Sequence, residues 1–184
     1  AVVSYILEHF DQKTKRHASF QYKERRVNGF NSLFATSSIK AARAYYQEFK
    51  RQQADLPEAR RLSVGIIYSY APNAEAPGTG LLSEESMDPS ALSQDDRAFL
   101  DEAIADYNQQ FGASFGTDAS GFEGYYTSLS TALAERRIDL VIVVDMFLTG
   151  FDSKSLNTLW VDKNLRAHGL IQAFSRTNRI LNSV

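Results

Sequence analysis

Five successive apolar, β-favouring residues, Leu140-Val-Ile-Val-Val144, stand between Asp139 and Asp145. No polar residue interrupts them, so a strand made of them buries both of its faces, as strands do inside parallel sheets. A strand covered on both sides needs strand neighbours and a helix layer above and below. Residues 30–36, 62–69 and 156–162 supply three further short runs that read as strands. Helical patterns separate them. Strands alternating with helices predict an α/β layered fold with a mostly parallel sheet.

The helices are legible from their apolar period. Val3, Ile6, Leu7 and Phe10 fall at i, i+3, i+4 and i+7, which predicts a helix over residues 2–14. A polar, basic link through Lys15, Arg16, Lys23, Arg25 and Arg26 follows, closed by Gly29. Ser37 or Ser38 can cap a helix running to about Gln53, with Ile39, Ala42, Tyr46 and Phe49 inward. Pro57 ends that region. Residues 71–92 hold three of the four prolines and only acidic charges, which predicts a mobile loop or insertion. Ser93 and Asp96 have capping-box spacing, with Asp in the place of Glu. The helix they open, to about Phe111, carries Leu100, Ala103 and Tyr107 inward. Small residues around 112–121 break it. Another helix, over about 122–136, carries Phe122, Tyr126, Leu129 and Leu133 on one side. A last helix is expected from about His168.

Charge is distributed unevenly. The net charge is −2, yet residues 1–61 carry a net +6, residues 62–150 a net −11 and residues 151–184 a net +3. A basic end of this kind suits a polyanion such as DNA. There is no cysteine, so disulfides, thiolate metal sites and cysteine nucleophiles are excluded. No apolar run reaches the ~18 residues of a membrane-spanning helix, so no membrane association is expected, and cytoplasmic localisation is. His9, His17 and His168 lack metal-ligand spacing, so no metal site is expected on this chain. Trp160, mid-strand, is expected in the core, and Lys163 beside Asp162 is read as a surface pair. Tyr45, Tyr46 and Tyr107 are read as packing residues.

Two stretches carry chemistry. Gln172-Ala-Phe-Ser-Arg-Thr-Asn-Arg179 puts two arginines one helical turn apart with a glutamine on the same face. Arginine suits phosphate because its planar fork of donors stays charged and engages oxygens two at a time. Thr149-Gly-Phe-Asp152 directly follows the strongest strand, where ligands of open α/β sheets gather. Gly150 lets backbone approach a ligand, Thr149 offers a hydroxyl and Asp152 an acceptor. Alone, Thr-Gly-x-Asp is a weak signal and reads first as a polar turn after a strand.

In this order, with one strand between them, the two stretches resemble motifs V and VI of superfamily 2 helicases. Motif VI there is Gln-x-x-Gly/Ser-Arg-x-x-Arg. Phe34-Ala-Thr-Ser-Ser38 resembles motif IV. The whole run from Thr149 to Arg179 looks like the restriction (R) subunit of type I restriction-modification enzymes. Gly29-Phe-Asn-Ser-Leu-Phe-Ala35 and Ala44-Tyr-Tyr46 match that family too. Ser175 and Asn178 depart from many helicases but are small enough for the same packing.

The resemblance implies a RecA-like three-layer fold over residues 29–184, with 1–28 a helical lead-in and basic linker. It implies the second motor domain of an ATP-dependent DNA translocase and endonuclease. Arg176 and Arg179 would meet the γ-phosphate of ATP, Arg179 being the preferred arginine finger. Gln172, Gly150 and Asp152 would approach ATP, Asp152 as a candidate ribose contact. Thr36, Ser37 and Thr149 are candidates for the DNA backbone. The implied partners are double-stranded DNA, methyltransferase and specificity subunits, and the first RecA-like domain and nuclease domain of the same parent chain.

Some elements of such an enzyme are missing from the sequence. There is no Gly-x-x-x-x-Gly-Lys-Ser/Thr loop to cradle phosphates, no Asp-Glu pair followed by Cys or Ala and His to hold Mg²⁺ and position water, and no convincing nuclease constellation of carboxylates and lysine. ATP and Mg²⁺ would therefore be held mainly by another domain, the chain is expected to be a piece of a larger one, and the piece alone is expected to be inactive. The alternatives are the motor half of a different superfamily 2 translocase, or a Rossmann-like interaction module whose arginines pair with internal carboxylates.

Overall fold

The strand Leu140–Val144 lies inside the sheet, as its sequence requires, and all five of its residues are buried. A computed structural model describes residues 1–22, 24–68, 92–144 and 153–162. Its elements are α1 (Val2–Thr14), β1 (Ser19–Tyr22), β2 (Arg25–Asn28), β3 (Asn31–Thr36), α2 (Ile39–Gln53), β4 (Val64–Tyr68), α3 (Gln94–Phe111), α4 (Ala119–Ala134), β5 (Leu140–Val144) and β6 (Leu156–Val161), with a 3-10 turn at Glu58–Arg60. The main sheet has the order β4-β5-β3-β6, and each neighbouring pair is parallel.

Register assigns the two faces. Phe34, Ile142, Ile66 and Trp160 are aligned across the strands. Tyr45 of α2 packs on Phe34 at 4.8 Å between rings, so α2 covers this face. Leu33, Val141 and Gly65 share the opposite face. A Cβ at Gly65 would lie 2.8 Å from Leu129 of α4 and from Ile138, so α4 covers that side. The result is a three-layer α/β arrangement consistent with a RecA-like fold. α3 runs beside β4 and joins the layers: Phe99 meets Tyr46 and Tyr68, and Tyr107 meets Tyr125. α1 sinks Val3, Ile6 and Phe10 into the same core.

Side-chain caps set the helix starts. Ser38 accepts from the Ala41 N–H at 3.1 Å. Ser93 accepts from the Asp96 N–H at 3.2 Å while its hydroxyl donates to the Asp96 carboxylate at 2.7 Å, the expected cap in a modified form. Asp118 accepts from the Gly121 N–H at 3.0 Å, so α4 begins three residues earlier than its apolar pattern suggests. Gly112, at φ +64, ends α3 in the left-handed conformation that glycine tolerates.

Three readings are corrected. The basic link after α1 is an antiparallel hairpin, β1 against β2, with Ser19 opposite Asn28 and Phe20 opposite Val27. Its strands are short and largely polar, so no apolar alternation announces them; Phe20 anchors them on Phe30 at 4.6 Å. Trp160 is only partly buried, like the rest of Asn157 to Val161, and packs against the core from its margin. Tyr125, outside the predicted stripe of α4, is fully buried, and its hydroxyl donates to the Ile66 carbonyl at 2.6 Å. The expected loop over 71–92 lies outside the described residues, apart from buried Leu92.

Candidate functional site

β5, β3 and β6 are parallel neighbours, so their carboxyl ends form one edge. Thr36 is level with Val144, and Ala35 with Val161. Three stretches of chemical interest follow these ends in the sequence. Ser37 and Ser38 follow β3 and open α2. Residues 145–152, with Thr149, Gly150 and Asp152, follow β5. The chain beyond β6 leads to Gln172, Arg176 and Arg179. These six candidates lie outside the described residues.

The two candidates that are described differ in what they expose. Thr36 is 1% exposed, and its hydroxyl donates to the Val143 carbonyl at 3.2 Å, tying β3 to β5. Ser37 is exposed. The first turn of α2 begins beside it, so backbone N–H groups and the positive helix end lie at this edge, an arrangement that favours anions.

Asp162 is the residue that sequence reading missed. Read as half of a surface pair, it is 8% exposed at the end of β6. Its N–H donates to the Ala35 carbonyl at 2.9 Å, extending the β3–β6 ladder. Its carboxylate pairs with the Tyr45 hydroxyl, whose pKa is raised by burial first and by the Asp162 charge and hydrogen bond second. The only signal in the sequence was an acidic residue ending an apolar strand.

Away from this edge, charged groups join helices. Tyr46 donates to Asp106 at 2.9 Å and Lys50 reaches the same carboxylate at 2.6 Å, linking α2 to α3. Burial, then Asp106, pushes the Tyr46 hydroxyl far above its ordinary range. His9 bonds the Tyr5 carbonyl at 2.9 Å, and His17 the Asp11 carboxylate at 3.0 Å. Among the described residues no cluster of three or more His, Asp or Glu could hold a metal ion, and no helix is long and apolar enough to cross a membrane.

Comparison with known proteins places these features in context. A family model described as type I restriction enzyme subunit R domain 3 matches residues 28–184. The chain is 40% identical over 160 residues to the type I restriction enzyme SauMRSORF196P endonuclease subunit of Staphylococcus aureus, covering 86% of this chain and 16% of that protein. The SsaAORF53P endonuclease subunit of Staphylococcus saprophyticus is 42% identical over the same length and shares. A putative MpnIIP endonuclease subunit N-terminal part from Mycoplasma pneumoniae is 82% identical over 34 residues, 18% of this chain and 9% of that protein. The chain thus spans about a sixth of the length of the longer relatives.

Proposed function

Because the chain belongs to the R-subunit family of type I restriction enzymes, matching its domain 3, we propose that it is the second RecA-like motor lobe of an ATP-dependent DNA translocase. In this reading it supplies arginines to ATP bound against a first lobe of the same parent chain. Membership in this family sets aside a different superfamily 2 translocase.

The observation that carries the proposal is the shared edge. Parallel β5, β3 and β6 end side by side, and the stretches that follow these ends in the sequence carry Ser37, Thr149-Gly-Phe-Asp152 and, farther on, Gln172 to Arg179. The donor set suits a triphosphate: two guanidinium groups, a carboxamide, a glycine for close approach and a carboxylate for a ribose hydroxyl. In this reading Mg²⁺ is held mainly by the other lobe.

Arg176 and Arg179 would bind γ-phosphate oxygens and stabilise charge as the phosphoryl group transfers, an electrostatic contribution that costs no rearrangement if the groups are already in place. Gln172 would orient the nucleotide at the cleft. ATP binding would draw the lobes together, and transfer of its γ-phosphoryl group to water, with ADP as the leaving group, would let them reopen. Ser37 and Thr149 would hold DNA phosphates while the lobes move. The methyltransferase and specificity subunits would choose the site, and a nuclease domain elsewhere in the parent would cut.

The split site predicts that this chain alone binds ATP weakly and hydrolyses none. Pure chain incubated with ATP and Mg²⁺ tests this by phosphate release. Magnesium-dependent turnover would contradict the split-site reading.

A further inference from the structure

The opposite edge of the sheet carries a second feature. A cavity of about 470 Å³ opens where chain segments enter the strands, lined by Arg16, His17, Arg26, Glu135, Arg136 and Asp139 among others. Its cations come from three places in the sequence: the turn after α1, strand β2 and the end of α4. Arg136 adopts φ +60, rare for a residue with a side chain, and so does Lys15, beside Arg16, at φ +49.

The cavity floor is preorganised. Asp139 receives Arg136 at 2.9 Å on one oxygen, and Arg16 at 3.4 Å with the Ser63 N–H at 2.9 Å on the other. Arg16 also donates to the Arg61 carbonyl at 2.8 Å. Both carboxylate oxygens are thus engaged, so Asp139 orients two guanidinium groups while its charge offsets only one of them. The Arg136 side chain is 7% exposed, and its buried Nε has no partner. Glu135 is paired with Arg137 at 2.8 Å. At the rim, Arg26 and His17 are exposed, and Arg60 and Asp11 line an adjoining cavity of about 220 Å³ that shares Arg16 and His17, Asp11 lying 3.0 Å from His17 and 3.6 Å from Arg16.

We propose that this cavity holds a phosphodiester of duplex DNA, a contact on the edge of the sheet opposite the ATP cleft. The inference rests on the translocase reading for its substrate. The three arginines of the lining outnumber Glu135 and Asp139, an excess that favours an anion, and the rest of the lining selects among anions. Apart from His17, the lining has no ring, and its apolar members are Val27 and Ala59. A nucleoside or an unpaired strand wants a stacking surface, which is lacking, whereas a duplex presents its backbone without one. The contact would be independent of sequence, as a motor that moves along any DNA requires.

The test uses the full-length R subunit, a short duplex without the recognition sequence, and a single strand of equal length. Arg26→Glu and His17→Glu alter exposed side chains, so folding is expected to survive in both; circular dichroism checks it. Arg26→Glu should weaken duplex binding roughly tenfold at moderate salt and lower the slope of log Kd against log salt by about one, with a smaller effect on the single strand. His17→Glu should act in the same direction. Unchanged duplex affinity in both variants would overturn the inference. Equal losses for single strand and duplex would overturn the duplex assignment. Normal DNA affinity with impaired assembly onto the methyltransferase subunit would make the cavity a protein interface and overturn it too. ATP hydrolysis by Arg179→Ala, measured in parallel, reports separately on the motor reading.

Discussion

Thr36 and Ser37 are adjacent, and their surroundings divide their roles. Thr36 spends its hydroxyl on the Val143 carbonyl inside the sheet, while Ser37 faces outward at the carboxyl edge. Thr36→Val should therefore cost about 1 kcal/mol of stability, the net contribution of one hydrogen bond, with little change in DNA affinity. Ser37→Ala should do the reverse. Urea midpoints of the chain and duplex binding by the full-length protein separate the two; a Thr36→Val variant that binds DNA poorly at full stability would show that its hydroxyl reaches the ligand. Glu48 makes a pH prediction. Hydrogen bonds from Arg51, then Gln52, hold its pKa at about 2, below the ordinary 4.5. A depressed carboxylate pKa stabilises the fold above the unfolded value, and the gain is lost as pH falls from 4.5 through about 2. NMR titration should find Glu48 ionised at pH 3, and Arg51→Ala should move its midpoint toward the ordinary value. Residue identity was legible from the sequence here, but orientation was not. Nothing local says that Thr36 points inward or that the Asp162 carboxylate is buried, because both follow from which strands lie side by side.

Elements with a strong period or a cap were legible. α1, α2 and α3 begin and end close to where apolar spacing, Ser38 and Ser93 put them, and β5 is the buried strand its composition demands. The β1–β2 hairpin was not legible. Its stability comes from backbone pairing and from docking against the turn after α1, neither of which leaves a pattern in a polar stretch. Gly29 shows the docking: its N–H donates to the Ala18 carbonyl at 2.7 Å, and its φ is +65. A Cβ there would come within 2.9 Å of the Lys15 and Arg16 carbonyl oxygens. Gly29→Ala should thus cost roughly 2–4 kcal/mol, combining left-handed strain with a clash against rigid backbone. A urea midpoint within experimental error of wild type would mean that the hairpin can shift away from α1 without loss.

At the scale of the molecule, the alternation of strands and helices was enough to predict three layers, and the motif order was enough to name the family. Strand order was not accessible: β3 lies between β5 and β6 although β4, α3 and α4 intervene in sequence, and only tertiary packing decides that. This order sets the carboxyl ends of β3, β5 and β6 side by side, and the segments that resemble motifs IV, V and VI follow those ends in the sequence. Trp160 was misjudged for a related reason: β4 and β6 both flank the described sheet, yet β4 is covered and β6 only partly so, and nothing local to Trp160 distinguishes the two. The central claim is that the arginines beyond β6 complete an ATP site that another lobe begins. The direct test is DNA-stimulated ATP hydrolysis by the full-length R subunit, wild type against Arg176→Ala and Arg179→Ala, with ATP binding measured alongside. If Arg179 is the finger, its loss should slow hydrolysis roughly 10³–10⁵-fold while ATP still binds. A loss below tenfold in both variants, with folding intact, would contradict the account and favour an interaction module whose arginines are structural.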